Sequence, residues 1–215
     1  MTSFVPLGVS VGAVMMLSQA AIAQEVHVNG GRLMADHYLL GSALNGVGLG
    51  LTYMTRVRRL EFDLAVDRYA GSSNRVGVAC GGFYNPDHCP TQPIRDRSTL
   101  YVLSVGPSLN IVRSQHLSVN LNGSVQGAGV STTTIGLQNG GQLHARRALL
   151  GASVGLIVSW RTSAQSPFAF NGSASTGVLR NIRESGAIDG YEPYDGGSFR
   201  AHRLSVGVSY RLSNR

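Results

Sequence analysis

The sequence is short of charge. Only 13% of its 215 residues are Asp, Glu, Lys or Arg, while 43% are hydrophobic. A soluble domain carries about a quarter charged residues, so this chain lacks the usual cover for a water-facing surface. It also lacks, after residue 24, any run of the roughly 20 apolar residues that a membrane helix requires. Acidic residues are scarcer than basic ones, 11 against 18, for a formal charge of +7. Such an excess raises the question of nucleic-acid binding. The basic residues stand singly or in pairs, as at Arg56, Arg58-Arg59, Arg146-Arg147 and Arg211. They lack the aromatic-interleaved patch that a nucleic-acid surface presents, and no nucleic acid is expected as a partner. What the chain has in quantity is glycine, 28 residues. Little charge, much glycine and no spanning helix suit a membrane-crossing β-barrel.

The first residues read as an address. Phe4 to Leu17 is apolar and uncharged, and Ala21-Ile22-Ala23 has the small-x-small form of a signal-peptidase site before Gln24. Residues 1–23 are expected to be a secretory signal peptide and 24–215 one barrel domain, although Met1-Thr2-Ser3 lacks the usual positive charge. Cysteine is nearly absent too. The two present, Cys80 and Cys89, are set among Gly81, Gly82, Pro86 and Pro90. In an exported protein they are expected to form a disulfide closing a short loop, contributing about 2–3 kcal/mol. A metal site using His88 beside Cys89 is a weaker reading, because no second Cys or His pair accompanies it. No metal or other cofactor is expected.

Apolar and polar residues alternate with period two along most of the chain, the mark of a two-faced strand. The clearest case is the last one, where Leu204, Val206, Val208, Tyr210 and Leu212 alternate with Ser205, Gly207, Ser209 and Arg211. Similar segments run over Val47–Tyr53, Leu60–Asp67, Leu103–Ile111, Leu117–Gln126, Leu150–Trp160 and Phe168–Val178, with an eighth, less regular one at Val26–Leu33. Most run about ten residues, the length that crosses a bilayer when tilted. Between them, Thr55–Arg58, Arg113–His116 and Thr162–Ser166 are short, whereas Ala70–Arg97, Ser131–Gln142 and Asn181–Phe199 are long and polar. Short turns at one end and long loops at the other are the layout of an outer-membrane barrel. Tyr53, Trp160 and Tyr210 fall near the short-turn ends on the apolar face, where an aromatic girdle belongs. The expected fold is therefore all-β: an eight-stranded antiparallel up-and-down transmembrane β-barrel behind a signal peptide, placed in the cell outer membrane.

The end of the chain carries a compact motif. Ser205, Gly207, Tyr210 and Leu212 are spaced as in the assembly signal of outer-membrane proteins. With the alternating connections, the chain resembles the small eight-stranded outer-membrane barrels typified by the OmpA transmembrane domain and OmpX. The resemblance covers about Gln24 to Leu212 and is architectural. It implies recognition of the last strand by the barrel-assembly machinery and contact with outer-membrane lipid and lipopolysaccharide. The chain departs from the family's usual aromatic end in carrying Ser213-Asn214-Arg215.

On the polar face, Glu61, Asp63 and Asp67 of one strand and Arg203 and Arg211 of the last are expected to look inward. An eight-stranded barrel is just wide enough to be filled with side chains, so these charges must pair as a polar plug, and a wide porin channel is excluded. The arginines Arg75, Arg95, Arg97, Arg183 and Arg200, beside Tyr191 and Tyr194, are read as loop residues able to meet lipopolysaccharide phosphates. No catalysis is expected. The role implied is structural or surface-interacting. One alternative is a lipid A-modifying enzyme assembled from His144, His202, Ser198 and Glu184, although no Gly-x-Ser-x-Gly spacing supports it. The other is a secreted soluble barrel binding a small apolar ligand.

Overall fold

A computed structural model describes residues 25–35, 43–54, 59–77, 92–138, 142–185 and 197–212. The expected signal peptide, the Cys80–Cys89 pair with His88, Tyr191 and Tyr194 lie outside them. Eight strands follow one another: β1 (Glu25–Ala35), β2 (Leu44–Met54), β3 (Leu60–Gly77), β4 (Gln92–Arg113), β5 (Leu117–Gly136), β6 (Gln142–Trp160), β7 (Phe168–Ser185) and β8 (Ser198–Arg211). Each pairs antiparallel with its sequence neighbours, and β1 closes on β8. The seam runs without a break from Glu25↔Arg211 to Ala35↔Ala201. The least regular strand in the sequence is thus fully paired on both sides.

The pleat sends alternate side chains out and in, and the outward set is apolar. Val206 is 72% exposed and Val47 64%, and Leu49, Leu103, Leu121, Leu150 and Leu204 stand out likewise. Together they form a continuous belt around the barrel. In water such a belt would far exceed the apolar patch a soluble protein tolerates. A lipid bilayer is the solvent that suits it, and the chain is a transmembrane barrel.

The strands outrun their sequence-based limits at one end only. Ala70–Arg97, Ser131–Gln142 and Asn181–Phe199 read as long loops, yet β3 continues to Gly77, β4 begins at Gln92, β5 reaches Gly136, β6 starts at Gln142, β7 runs to Ser185 and β8 begins at Ser198. Residues 137–141 are all that remain between β5 and β6. The reason is that beyond the belt both faces of a strand are polar, so the hydropathy alternation vanishes while the ladder persists. Thr132 and Thr134 are buried inside while Ser131 and His144 face out. Threonine suits a strand with or without an apolar neighbour. Arg75, Arg95, Arg97, Arg183 and Arg200 are accordingly strand residues, not loop residues.

Glycines on β2 make room for the interior. Gly46, Gly48 and Gly50 face inward, and a Cβ on them would run into Tyr69, Asp67 and His27 respectively. The stripe is a floor over which larger side chains from β1 and β3 lie. Gly207 serves the seam in the same way, since a Cβ there would lie 2.9 Å from the Asn29 Cα of β1. Replacing Gly48 with Val is expected to destabilise the folded barrel by about 1–3 kcal/mol through overpacking. Gly172→Ala, whose Cβ meets open space, should leave the urea unfolding midpoint in detergent nearly unchanged. Equal shifts for both would contradict the floor assignment.

Candidate functional site

The barrel interior is built in layers. At the short-turn end most inward side chains are polar, with Ile157 of β6 and Ala169 of β7 among them as apolar exceptions. Asp63 accepts hydrogen bonds from Thr52 Oγ1 and Asn122 Nδ2, both at 2.8 Å. Glu61 accepts one from Asn120 Nδ2 at 2.9 Å, and Asn120 Oδ1 in turn accepts from Asn110 at 2.7 Å. Glu25 is held by Arg161 at 2.8 Å and by the Ser209 hydroxyl. Ser173 and Ser205 bond at 2.6 Å across β7 and β8. Higher up, Asp67 pairs with Arg203 from the opposite end of the chain, and Arg203 Nε also reaches Ser175 Oγ at 3.4 Å.

Above that pair the interior turns apolar. Leu33, Leu44, Leu100, Leu149, Leu179 and Phe199 converge in one buried cluster with Tyr69 and Val102, and Leu100 is wholly inaccessible. The interior, expected as a packed polar plug, is corrected in one respect: a buried apolar layer crosses it. The alternation that gives polar-in, apolar-out lower down is here apolar on the inside. Beyond this layer polar groups return, with Asp96 bound by Arg75 at 2.6 Å and Thr134 at 2.5 Å, and Ser98 bonded to Thr132 at 3.2 Å.

Of the inward charges singled out from sequence, the structure brings Asp67 and Arg203 together. Glu61 and Asp63 are held by amides and a hydroxyl, not by arginines. Arg211 faces inward at the rim, where its Nε has no partner. Sequence reasoning missed Arg161, Glu25, Asp96 and Arg75 as interior ion-pair formers. Glu25 and Arg161 sit at strand ends, where too few residues remain to show alternation.

Tyr53, Trp160 and Tyr210 lie at the short-turn ends of β2, β6 and β8. Two phenylalanines not assigned from the sequence extend the group: Phe170 stacks on Trp160 at 6.0 Å, and Phe168 tilts against Tyr210 at 5.1 Å. In the terminal motif, Tyr210 and Leu212 point outward, and Ser205 and Gly207 point inward. The proposed enzyme set does not assemble among the described residues. His144 on β6 bonds Thr133 at 3.0 Å, whereas Ser198 and His202 are on β8, with β7 between. The Glu184 side chain is outside the described set.

Charge is sorted across the wall. Every described carboxylate side chain, Glu25, Glu61, Asp63, Asp67 and Asp96, faces inward. Among the described residues the outward charged side chains are all basic. Arg32, Arg68, Arg97, Arg146, Arg180 and Arg200 occupy six different strands, each beyond the apolar belt on the side away from the short turns. Arg180 and Arg200 sit on paired strands, Arg200 opposite Val178 and Arg180 opposite Ser198. His202 and Arg32 continue the patch onto β1, where Met34 pairs with His202 and Arg32 with Leu204. The chain has no lysine, so all 18 basic side chains are arginine. Arg68 also lies over the Tyr101 ring, 5.9 Å from its centroid.

A scan of the sequence against protein-family models and a search of curated proteins find no match. Solved structures do match. A major outer membrane protein from Thermus thermophilus aligns with a TM-score of 0.54 at 12% identity, over 87% of this chain and 99% of that one. Neisserial surface protein A aligns with a TM-score of 0.50 at 13% identity, over 87% and 96%. At such identities the likeness speaks to the fold, and the fold is that of the small outer-membrane β-barrels.

Proposed function

We propose that this outer-membrane barrel fold serves a structural, non-catalytic role, holding phosphate-bearing lipid of the outer leaflet against its arginine girdle. The observation that carries the reading is the sorting of charge among the described residues: the five carboxylates face inside, and the charged side chains that face out beyond the belt are arginines. Water alone gives no reason for that sorting. An anionic lipid headgroup layer does, because an outward carboxylate would repel it. Arginine is the suited cation, since its planar fork meets a phosphate with two parallel hydrogen bonds and is weakly hydrated. At the edge of hydrocarbon, where the effective dielectric is low, each such pair gains more than in bulk water. The patch formed by Arg180, Arg200, His202 and Arg32 is the densest part of the girdle and the best seat for the phosphates of lipopolysaccharide.

The same reading takes residues 1–23 as the export signal, Cys80–Cys89 as a disulfide on the outer side, and Ser205, Gly207, Tyr210 and Leu212 as the tag read by the barrel-assembly machinery. Tyr53, Trp160 and Tyr210 anchor the periplasmic interface, and Glu61, Asp63, Asp67, Arg203 and Arg211 form the polar part of the filling. The test is binding of lipid A to the purified protein in micelles. Phosphorylated lipid A is expected to bind at least about tenfold more tightly than its dephosphorylated form, and Arg180→Gln/Arg200→Gln to remove most of that difference, as loss of charge-assisted hydrogen bonds requires. Equal binding of both lipids to the parent protein would sink the proposal.

A further inference from the structure

Within the barrel a well opens at the short-turn end. Its volume is about 250 Å³, and Gln115 of the β4–β5 turn and Ala164 of the β6–β7 turn stand at its mouth. A smaller space of about 80 Å³ continues from it past His27 and Asn29 to Asp67 and Arg203. There the apolar layer around Leu100 closes it. Among the described residues the well is therefore blind, open on the short-turn side. Its volume is several times the share of one water molecule, about 30 Å³.

Three guanidinium groups, from Arg113, Arg161 and Arg211, line the mouth. Three carboxylates line the same space, so net charge alone does not decide what it takes. The partners do. Glu25 is already bound by Arg161 and Ser209, Glu61 by Asn120, and Asp63 by Thr52 and Asn122. Arg113 and Arg211 make no ion pair with any of them among the described residues. The Nε atoms of Arg161 and Arg211 are buried with no hydrogen-bond partner. Buried donors of this kind are rare, because each costs about 1–3 kcal/mol unless something accepts from it. The mouth thus carries two guanidinium groups, those of Arg113 and Arg211, outside any ion pair, beside a space large enough for a small ion and a few waters.

We propose that the mouth of this well is a binding site for a small oxyanion, phosphate or carboxylate, held between Arg113, Arg161 and Arg211. The site is chemically matched to the group it takes: guanidinium forks bind oxyanions in bidentate fashion. It is distinct from the outer girdle, from which the apolar layer and the barrel wall separate it. The anion comes either from solution on the short-turn side or from a lipid headgroup of the adjoining leaflet, and the two sources share one chemistry.

The experiment is titration of the isotope-labelled protein in zwitterionic micelles with inorganic phosphate, followed by backbone amide and arginine Nε–Hε resonances. Chloride at matched ionic strength controls for screening. Saturable shifts are expected at Ser118, Arg161, Asn171 and Arg211, with none at Arg97 or Arg180. Arg113→Gln/Arg211→Gln should weaken the apparent affinity at least about tenfold. Arg113→Gln alone, at the exposed rim, gives a smaller loss and serves if the double variant does not fold. Shifts that chloride reproduces, or a saturable response that survives both variants, would overturn the proposal. Repeating the titration in nanodiscs of phosphatidylglycerol and of phosphatidylcholine separates the sources. Arg211 shifts already present in the first without added phosphate, and lost in the variants, assign the anion to the headgroup. Shifts that appear in both only with phosphate assign it to solution.

Discussion

Arg203→Met lowers the stability of the refolded barrel by about 3–5 kcal/mol, the cost of leaving a buried carboxylate without its partner. The side chain of Asp67 is 3% exposed, and that of Arg203 18%. Asp67 lies over the Gly48 floor, with the apolar layer above it, so it has no room to turn toward bulk water. The narrow upper well reaches Asp67 and softens the loss, placing the effect toward the lower end of that range. The double variant Asp67→Leu/Arg203→Met should recover most of the loss, because the pair is replaced by hydrocarbon continuous with the layer above. Replacement of a buried ion pair by well-packed apolar groups is often neutral or stabilising. Urea unfolding in detergent, with heat-modifiable gel migration as the check on folding, measures both. A single variant within about 0.5 kcal/mol of the parent would show that Asp67 does not need the guanidinium.

The pair also shows how the sequence encodes the barrel. Asp67 and Arg203 are far apart in the chain and meet because β3 and β8 face each other across a narrow interior. That Asp67 looks inward is readable from Leu64 and Val66 alternating with Ala65 and Asp67. Which arginine it meets is not, because partner choice depends on the stagger with which eight strands close. The same holds for Glu61 and Asp63, which take Asn120, Asn122 and Thr52 in place of the arginines a charge-matching argument would choose. Amides from β5 are nearer than guanidiniums from β8, and in a filled interior proximity decides.

Strand number, antiparallel order and the inside–outside assignment within the belt were legible because lipid imposes strict period two. Beyond the belt that rule lapses. Thr99, Ser131 and Thr133 are polar and face out while Ser98 and Thr132 are polar and face in, so the sequence looks like loop where the structure is strand. The girdle was hidden by the same lapse: Arg97 and Arg200, read as loop residues, are fixed on rigid ladders. The sorting of charge was invisible too, since it needs the parity of each residue on strands whose ends the alternation does not mark. The apolar layer was hidden differently. Leu33, Leu100 and Leu179 occupy inward positions on strands whose inward residues nearer the short turns are mostly polar, and a leucine flanking a strand end reads as a belt residue.

That layer decides whether the barrel conducts. The polar well lies below it and the polar cluster of Asp96, Arg75 and Thr134 above it, and the buried cluster around Leu100 separates the two. An apolar constriction blocks ions by excluding the water they would travel with. In planar bilayers the parent protein is therefore expected to show no resolved unit conductance. Leu179 and Phe199 are direct partners across β7 and β8, so truncating both opens one continuous gap. Leu179→Ala/Phe199→Ala should join the two polar regions and produce unit openings. Each truncation also costs about 2–5 kcal/mol, which makes a lowered unfolding midpoint part of the same result. Arg203→Met, just below the layer, serves as the counterpart: it also lowers stability, though by less than the double truncation, but leaves the layer intact, and should stay silent. If the parent conducts as readily as the double-alanine variant, the leucine and phenylalanine layer is not the barrier. If Arg203→Met opens the barrel as well, the leak follows loss of stability and not loss of the hydrocarbon seal.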